Sequence, residues 1–561
     1  MRTTIYAILC VLVSASACPG QSPTQAQSDP TTPALDRRWV FSFGYRRNRD
    51  DVEKIKSLVD TAAAHGLNGM VLASFGLDGV TKWTKEDYAL LSEVAAHCKK
   101  RQIELIPTGF GTGYGGTATG YNRSFSAALP VAVPLVARGR KLLPESGENL
   151  LVNGDLADRA GNRFTGYTTQ DQPGEVSFAD PDVADGKTAI RFENFTSNEH
   201  GHGRLAQKVA IRPGRTYRFS FKAKTRDLSP ANRLSASVLA DGRALARVRP
   251  GLKPTQDWTE VTLDFISTID DTVSLYTGIW RGRSGTFWLS DLDFREYGMV
   301  SDIVRREGTP VELRSLDRDR VYVEGLDFEP IECKAGLDHL VPMGSAIREG
   351  ERLALSCYRI PYVGHSWGKQ ISLCMSNLEL YEHWDTQARA LYKAVPFKRV
   401  LLTIDEVRNG GGCALCQDGG KSMAQIVGDC LKRERDIFKA IDPSIEVMTW
   451  SDMYDPAHNA VDSYYGVVGD FTGAADYAPT DVTMVCWYHK IRDASLDFFS
   501  SRGFPTMGAA YYDADDLEGC RDWLRSLRET PNSKGIMYTA WERKYELLGA
   551  FGDLVSKAAQ D

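Results

Sequence analysis

The stretch Arg399-Val-Leu-Leu-Thr-Ile-Asp-Glu-Val-Arg408 decides the fold. Its first six residues form an apolar strand without polar alternation, as expected where both faces are buried beneath helices in a parallel sheet. Leu378 to Val395 before it and Met423 to Ile441 after it read as helices. Strands follow at Ile445 to Trp450, Val482 to Trp487, Thr506 to Tyr511 and Ile536 to Tyr538, with helices at Ala494–Arg502, Leu517–Leu527 and Tyr545–Ala559. Upstream, Trp39 to Gly44, Gly69 to Ala73 and Ile103 to Pro107 are strands. Asp50 to His65 has helical spacing with Val52, Ile55, Leu58, Val59 and Ala62 on one side, and Lys85 to Arg101 is a second helix. Three strands before and five after make eight β–α units. That count predicts an α/β chain with a closed (β/α)8 TIM barrel, interrupted after its third strand. An open doubly wound sheet is the runner-up, weakened because no Gly-x-Gly-x-x-Gly follows the first strand.

The interruption has a different rhythm. From about Asn149 to Tyr297, short runs alternate with period two between turns, as in Tyr217-Arg-Phe-Ser-Phe-Lys-Ala and Phe287-Trp-Leu-Ser-Asp-Leu-Asp-Phe. This predicts an antiparallel, jelly-roll-like β-sandwich. The expected organisation is a signal peptide at 1–17, a tether at 18–36, the first barrel part at 37–145, the sandwich at 146–298, a β-rich connection at 299–370 and the second barrel part at 371–561.

Composition narrows the class. Of 561 residues, 42% are hydrophobic and 25% charged, the values of a globular chain rather than a disordered one. With 67 basic and 73 acidic residues the net charge is −6, which argues against a nucleic-acid partner. Arg2, the apolar run Ile5 to Val13 and the small residues Ser14 to Ala17 form a secretory signal pattern. Export to the periplasm or medium is therefore expected, and Cys18 after the small residues suggests a lipid anchor. No transmembrane segment is expected. Of 11 cysteines, nine remain once Cys10 and Cys18 are set aside, an odd number. Cys413-x-x-Cys416 lacks a second such pair or nearby histidines. It reads as a local disulfide or two loop thiols rather than a zinc site.

Catalytic groups of such barrels gather at the carboxyl ends of the strands. Those ends carry Arg46, Asp405, Glu406 and Arg408, Trp450 and Asp452, Trp487 and Tyr488, Tyr511, Tyr512 and Asp513, and Trp541 and Glu542. Aromatic rings among carboxylates and arginines form the lining of a sugar pocket. Asp405-Glu406 directly follows the most apolar strand, where desolvation favours a protonated carboxyl and general acid chemistry. In extended backbone the two would point to opposite sides.

With Asp405-Glu406 after strand four, the barrel resembles family 20 glycoside hydrolases, the β-N-acetylhexosaminidases and their relatives. Thr403-Ile-Asp-Glu-Val-Arg408 with Cys413 and Cys416, and Met537-Tyr-Thr-Ala-Trp-Glu542, look like an exported bacterial group related to that family. In place of the family's His and Gly-Gly before the acidic pair, this chain has Leu402-Thr403-Ile404. The resemblance implies substrate-assisted hydrolysis, with Glu406 protonating the leaving oxygen and Asp405 holding the acetamido nitrogen of a glycan substrate, an exception to the two-carboxylate scheme. It further implies a Tyr488 or Tyr512 hydroxyl near the acetamido oxygen, Arg46 and Glu542 on distal hydroxyls, and Trp450, Trp487 and Trp541 as pocket walls. No cofactor or catalytic metal is implied.

Asn149-Leu-Leu-Val-Asn-Gly-Asp155 and Phe287 to Phe294 resemble carbohydrate-binding modules. Trp258, Trp280 and Trp288 are candidates for stacking on glycan or for core packing. Asn153, Asp155 and Asp293 are candidate oxygen ligands for a structural Ca²⁺. Two further readings stand beside the hexosaminidase: a retaining glycosidase with Glu406 as acid/base and Asp513 or Glu542 as nucleophile, and a glycan-binding protein without turnover.

Overall fold

The computed structural model describes residues 35–184, 186–332, 339–365 and 368–558. The expected signal peptide, most of the expected tether and Cys18 lie outside the described residues.

Eight parallel strands close into a barrel: β1 (Arg37–Phe43), β2 (Gly69–Ala73), β3 (Glu104–Gly109), β4 (Arg399–Leu402), β5 (Glu446–Trp450), β6 (Thr483–Cys486), β7 (Thr506–Ala509) and β8 (Ser533–Thr539). β3 pairs directly with β4 through Thr108–Leu401 and Gly109–Leu402, and β8 closes on β1 from Gly535–Arg37 to Thr539–Phe41. The alternation of Cβ directions divides each strand between two cores. Trp39, Phe41, Val71, Ile106, Leu401, Met448, Val485, Met507 and Met537 fill the interior. Val40, Met70, Val400, Leu402, Met484 and Ile536 face the surrounding helices. Two hydrophobic faces per strand is why β4 shows no alternation in sequence.

Among the described residues, the helices of ten residues or more are α1 (Arg49–Ala64), α2 (Lys85–Lys100), α3 (Leu378–Ala394), α4 (Met423–Ile441), α5 (Arg492–Ser501), α6 (Glu518–Glu529) and α7 (Leu548–Ala558). Local chemistry sets their starts. The Asn48 side chain accepts the Asp51 N–H, and Thr84–Asp87 and Ser422–Gln425 form capping boxes. No α-helix stands between β5 and β6; short 3₁₀ turns at Asp452–Tyr454 and Ala474–Tyr477 occupy that connection. No helix among the described residues is long and apolar enough to cross a membrane.

Between β3 and α3 the chain builds two further bodies. One is a sandwich of two five-stranded antiparallel sheets, with Arg215–Ser229 and Ser284–Glu296 central to one and Asp271–Ile279 central to the other. Phe192, Phe219, Phe221, Phe287, Phe294, Val238 and Leu275 form its separate core. The other body is a six-stranded sheet. Here the structure departs from the expected boundaries. Leu129–Arg138 and Lys141–Pro144, assigned by sequence to the first barrel part, pair with each other, and Leu129–Arg138 also pairs with Arg352–Arg359. Leu129, Val131, Val133, Leu135 and Ala137 alternate into a core shared with Leu353, Leu355 and Cys357. The sandwich thus leaves from a small β-domain, which itself leaves from the barrel.

Candidate active site

β4 ends at Leu402, before the acidic pair, and Glu406 lies in the left-handed region at φ +47°. Glu406 is therefore not in extended backbone, and the strict alternation of a strand does not govern the pair. A non-glycine residue there costs on the order of 1 kcal/mol and is held by its surroundings. Asp452 Oδ2, just beyond β5, accepts the Glu406 N–H at 2.9 Å. The Gln370 side chain donates to Glu406 O and to Gly113 O, both at 2.9 Å.

The Glu406 side chain is fully engaged. Oε1 pairs with Arg408 Nη2 at 2.7 Å, and Oε2 accepts the Tyr114 hydroxyl. Arg408 also bonds Gln370 Oε1 and lies 5.1 Å from the centre of the Tyr465 ring. Asp405 has the opposite surroundings. Its Oδ1 is buried and has no hydrogen-bond partner among the described residues. Desolvation first, then the charges of Asp452 and Glu406, push its carboxyl well above the usual carboxylate range. Asp452 is raised to about 6, chiefly by burial, although the Glu406 amide, Asn459 at 2.8 Å and Trp487 Nε1 at 3.4 Å donate to it. Burial lowers the neighbouring His458 to about 4, so its imidazole is neutral at neutral pH.

Of the residues expected from sequence, Asp405, Glu406, Arg408, Asp452 and Trp487 come together. Tyr512 stacks on Trp487 with ring centres 6.4 Å apart, and Tyr488 stacks on His458 at 5.1 Å. Both tyrosines are open to solvent, 58% and 41% exposed. Partial desolvation beside Trp487, then the Glu406 charge, raises the Tyr512 pKa, which places it in the field of the pair. Trp450 is 2% exposed and sits in the barrel interior against Phe41 and Trp541; it forms floor rather than wall. Trp541 is half-buried on Phe41 and Phe43. Tyr511 is buried, stacked on Tyr538 with its hydroxyl on Ala514 O. Asp513 spends its carboxylate on the amides of Trp541 and Glu542 at 2.9 and 3.0 Å, tying the ends of β7 and β8. A nucleophile at Asp513 would have to give up both bonds. Glu542 is exposed. Arg46 is also exposed and lines a surface depression with Asp50, Asp51, Lys54 and Arg543.

Tyr114, Gln370, His458, Asn459 and Tyr465 were missed by sequence reasoning. A signal for Tyr114 exists in Gly111-Thr-Gly-Tyr-Gly-Gly116, directly after β3. A Cβ on Gly113 would stand 1.7 Å from Asp405 O, and one on Gly111 would stand 2.4 Å from Thr403 Oγ1. The glycines let this loop lie against the acidic turn and deliver the tyrosine.

The sandwich reaches the same region. Its edge strand Arg243–Val248 packs on the hairpin strand Val363–His365, whose partner strand ends at Gln370. Arg243 donates to Asp462 O at 3.0 Å, and Arg249 acts electrostatically on Tyr512. Within the sandwich, Trp288 is buried and donates to Asp180, whereas Trp258 and Trp280 are half-exposed. The candidate calcium ligands have other partners. Asp293 pairs with Arg295, and the Asn153 side chain bonds backbone groups of Asp158 and Thr165.

Residues 148–282 match the family described as carbohydrate binding domain. No curated protein matches the chain. Among solved structures, the module TmCBM61 in complex with beta-1,4-galactotriose is similar over 27% of this chain and 99% of its own, with 14% identity and a TM-score of 0.21. A rhamnosidase from Novosphingobium sp. PP1Y is similar over 95% of this chain and 59% of its own, with 9% identity and a TM-score of 0.37. A beta-N-acetylhexosaminidase from Bacteroides fragilis NCTC 9343 is similar over 34% of this chain and 40% of its own, with 16% identity and a TM-score of 0.26.

Proposed function

We propose that the protein is an exported glycoside hydrolase in which Asp405 and Glu406 are the reacting carboxyls and the sandwich holds glycan beside them. One observation carries this reading. At the carboxyl end of a barrel strand, two adjacent carboxyls have opposed surroundings: Glu406 is held by Arg408 and Tyr114, and Asp405 is desolvated with a free oxygen. Neighbouring acids with divergent environments divide acid and base roles. Trp487, Tyr488 and Tyr512 offer ring faces around them.

In its finer form the reading is a β-N-acetylhexosaminidase-like enzyme. Glu406 protonates the departing oxygen, the substrate acetamido oxygen attacks the anomeric carbon, and Asp405 holds the acetamido nitrogen. For this, substrate must exchange the partners on Glu406 so that a proton can sit on it. The engagement of Glu406 with Arg408 favours a second reading. In it the protonated Asp405, backed by Asp452, is the acid, and the Glu406 carboxylate attacks or stabilises the anomeric centre. Aryl glycosides separate the two. An activated leaving group restores turnover to a variant lacking the acid and not to one lacking the nucleophile. Rescue of Glu406→Gln favours the first reading, and rescue of Asp405→Asn favours the second.

A further inference from the structure

Cys413 and Cys416 were expected to form at most a local disulfide or two loop thiols. In the structure Cys374, just before α3, joins the other two. The three sulfurs stand 3.7, 3.8 and 3.7 Å apart, all are buried, and none is bonded to another. A disulfide would bring two of them to about 2.0 Å. Thiolates on a tetrahedral Zn²⁺ lie about 2.3 Å from the ion, and the edge of that tetrahedron is about 3.8 Å. The spacing is that of three corners of one coordination sphere.

Two independent features fit the same ion. A small cavity of about 10 Å³ touches all three cysteines and is otherwise lined by apolar groups, among them Ala127, Leu373, Met375, Met423 and Ile426. It has room for about one small ion or one water and for little else. Arg306, from the inserted segment, donates from Nη2 to Cys413 Sγ at 3.3 Å and from Nη1 to Ser124 O and Ser126 O at 2.6 and 2.9 Å. Three thiolates around a divalent cation leave one net negative charge, and a buried guanidinium balances it. An uncompensated buried cation beside neutral thiols would be costly.

The geometry points to a structural zinc site held by Cys374, Cys413 and Cys416, with Arg306 as its counter-charge. Soft thiolate donors select zinc over magnesium or calcium. Binding releases the three thiol protons to solvent, with no change of oxidation state. The ion staples the two segments that support the acidic turn, since Cys374 follows Gln370 by four residues and Cys413 follows Arg408 by five. Its existence is independent of what the acidic pair does.

Elemental analysis of the purified full chain, with thiol counting by alkylation and intact mass, tests this. About one zinc per chain is expected, lost from Cys374→Ser and Cys416→Ser. Replacement by Co²⁺ should give a thiolate-to-cobalt charge-transfer band. A metal-free chain with two of the three thiols oxidised to a disulfide overturns the proposal. So does a reduced chain that takes up no zinc from added ZnCl₂, or zinc that both variants retain. The metal and thiol content of the unaltered protein decides the matter even if the variants do not fold.

Discussion

Asp452 accepts the backbone N–H of Glu406 at 2.9 Å, so the end of β5 holds the left-handed turn that follows β4. The same Oδ2 also accepts from Asn459 at 2.8 Å. A buried carboxylate with these roles positions Glu406 without needing to touch substrate.

Asp452→Asn replaces an acceptor by a group that also donates, facing two N–H donors. We expect kcat/KM to fall by about 100-fold, the scale of losing a buried charged hydrogen bond. The pH dependence of stability carries a second signature. The folded carboxyl titrates near 6 against 3.8 when unfolded, so the folded state binds the extra proton between those values. Stability from this group is present at low pH and is lost as pH rises from about 4 to about 6. Thermal melts across that window should show the wild type losing Tm relative to Asp452→Asn; parallel curves would contradict the assignment.

Gly113→Ala introduces a Cβ that would stand 1.7 Å from Asp405 O, a backbone atom. The loop must move and take Tyr114 with it. A destabilisation of about 1–3 kcal/mol is expected, the usual range for overpacking. Chemical denaturation measures it, and an unchanged midpoint would place the loop elsewhere.

Tyr114→Phe removes the hydroxyl that donates to Glu406 Oε2 and keeps the ring. Turnover should fall by about 10- to 100-fold, since a hydrogen bond to a charged group is worth about 1.5–3 kcal/mol. The melting temperature should change little. A large loss of Tm with intact turnover would make Tyr114 a packing residue only.

Trp280 is half-exposed at the end of a central sandwich strand, whereas Trp288 is buried against Asp180. Trp280→Ala should weaken retention on insoluble glycan by about tenfold, the value of one aromatic stacking contact at ~1.4 kcal/mol. Affinity electrophoresis checks this; unaltered retention would move the glycan face to Trp258 or to the other sheet.

The barrel was legible because each of its strands carries a local pattern. Val400 to Leu402 is apolar on both faces, and α1 buries Val52, Ile55, Val59 and Ala62 at helical spacing. The sandwich was legible for the same reason, through the period-two runs around Phe219 and Phe287. Leu129–Arg138 was not: its alternation is clear, but its partner strand Arg352–Arg359 begins more than 200 residues later, and no local signal names a partner. The acidic pair was visible as a chemical type after an apolar strand. Its geometry was hidden, because the turn at Glu406 is imposed by Asp452 and Gln370 rather than by its own sequence. Cys374 was hidden likewise, 39 residues before Cys413.

The most direct test is hydrolysis of a panel of glycosides and N-acetylhexosaminides with unactivated leaving groups, oligosaccharides and methyl glycosides, by the purified protein beside Glu406→Gln. The account predicts turnover of at least one substrate class by the wild type and a loss of about 10²–10⁴-fold in the variant, the range for removing a reacting acid or base. Equal turnover by both proteins, or glycan binding with no turnover anywhere on the panel, would contradict it.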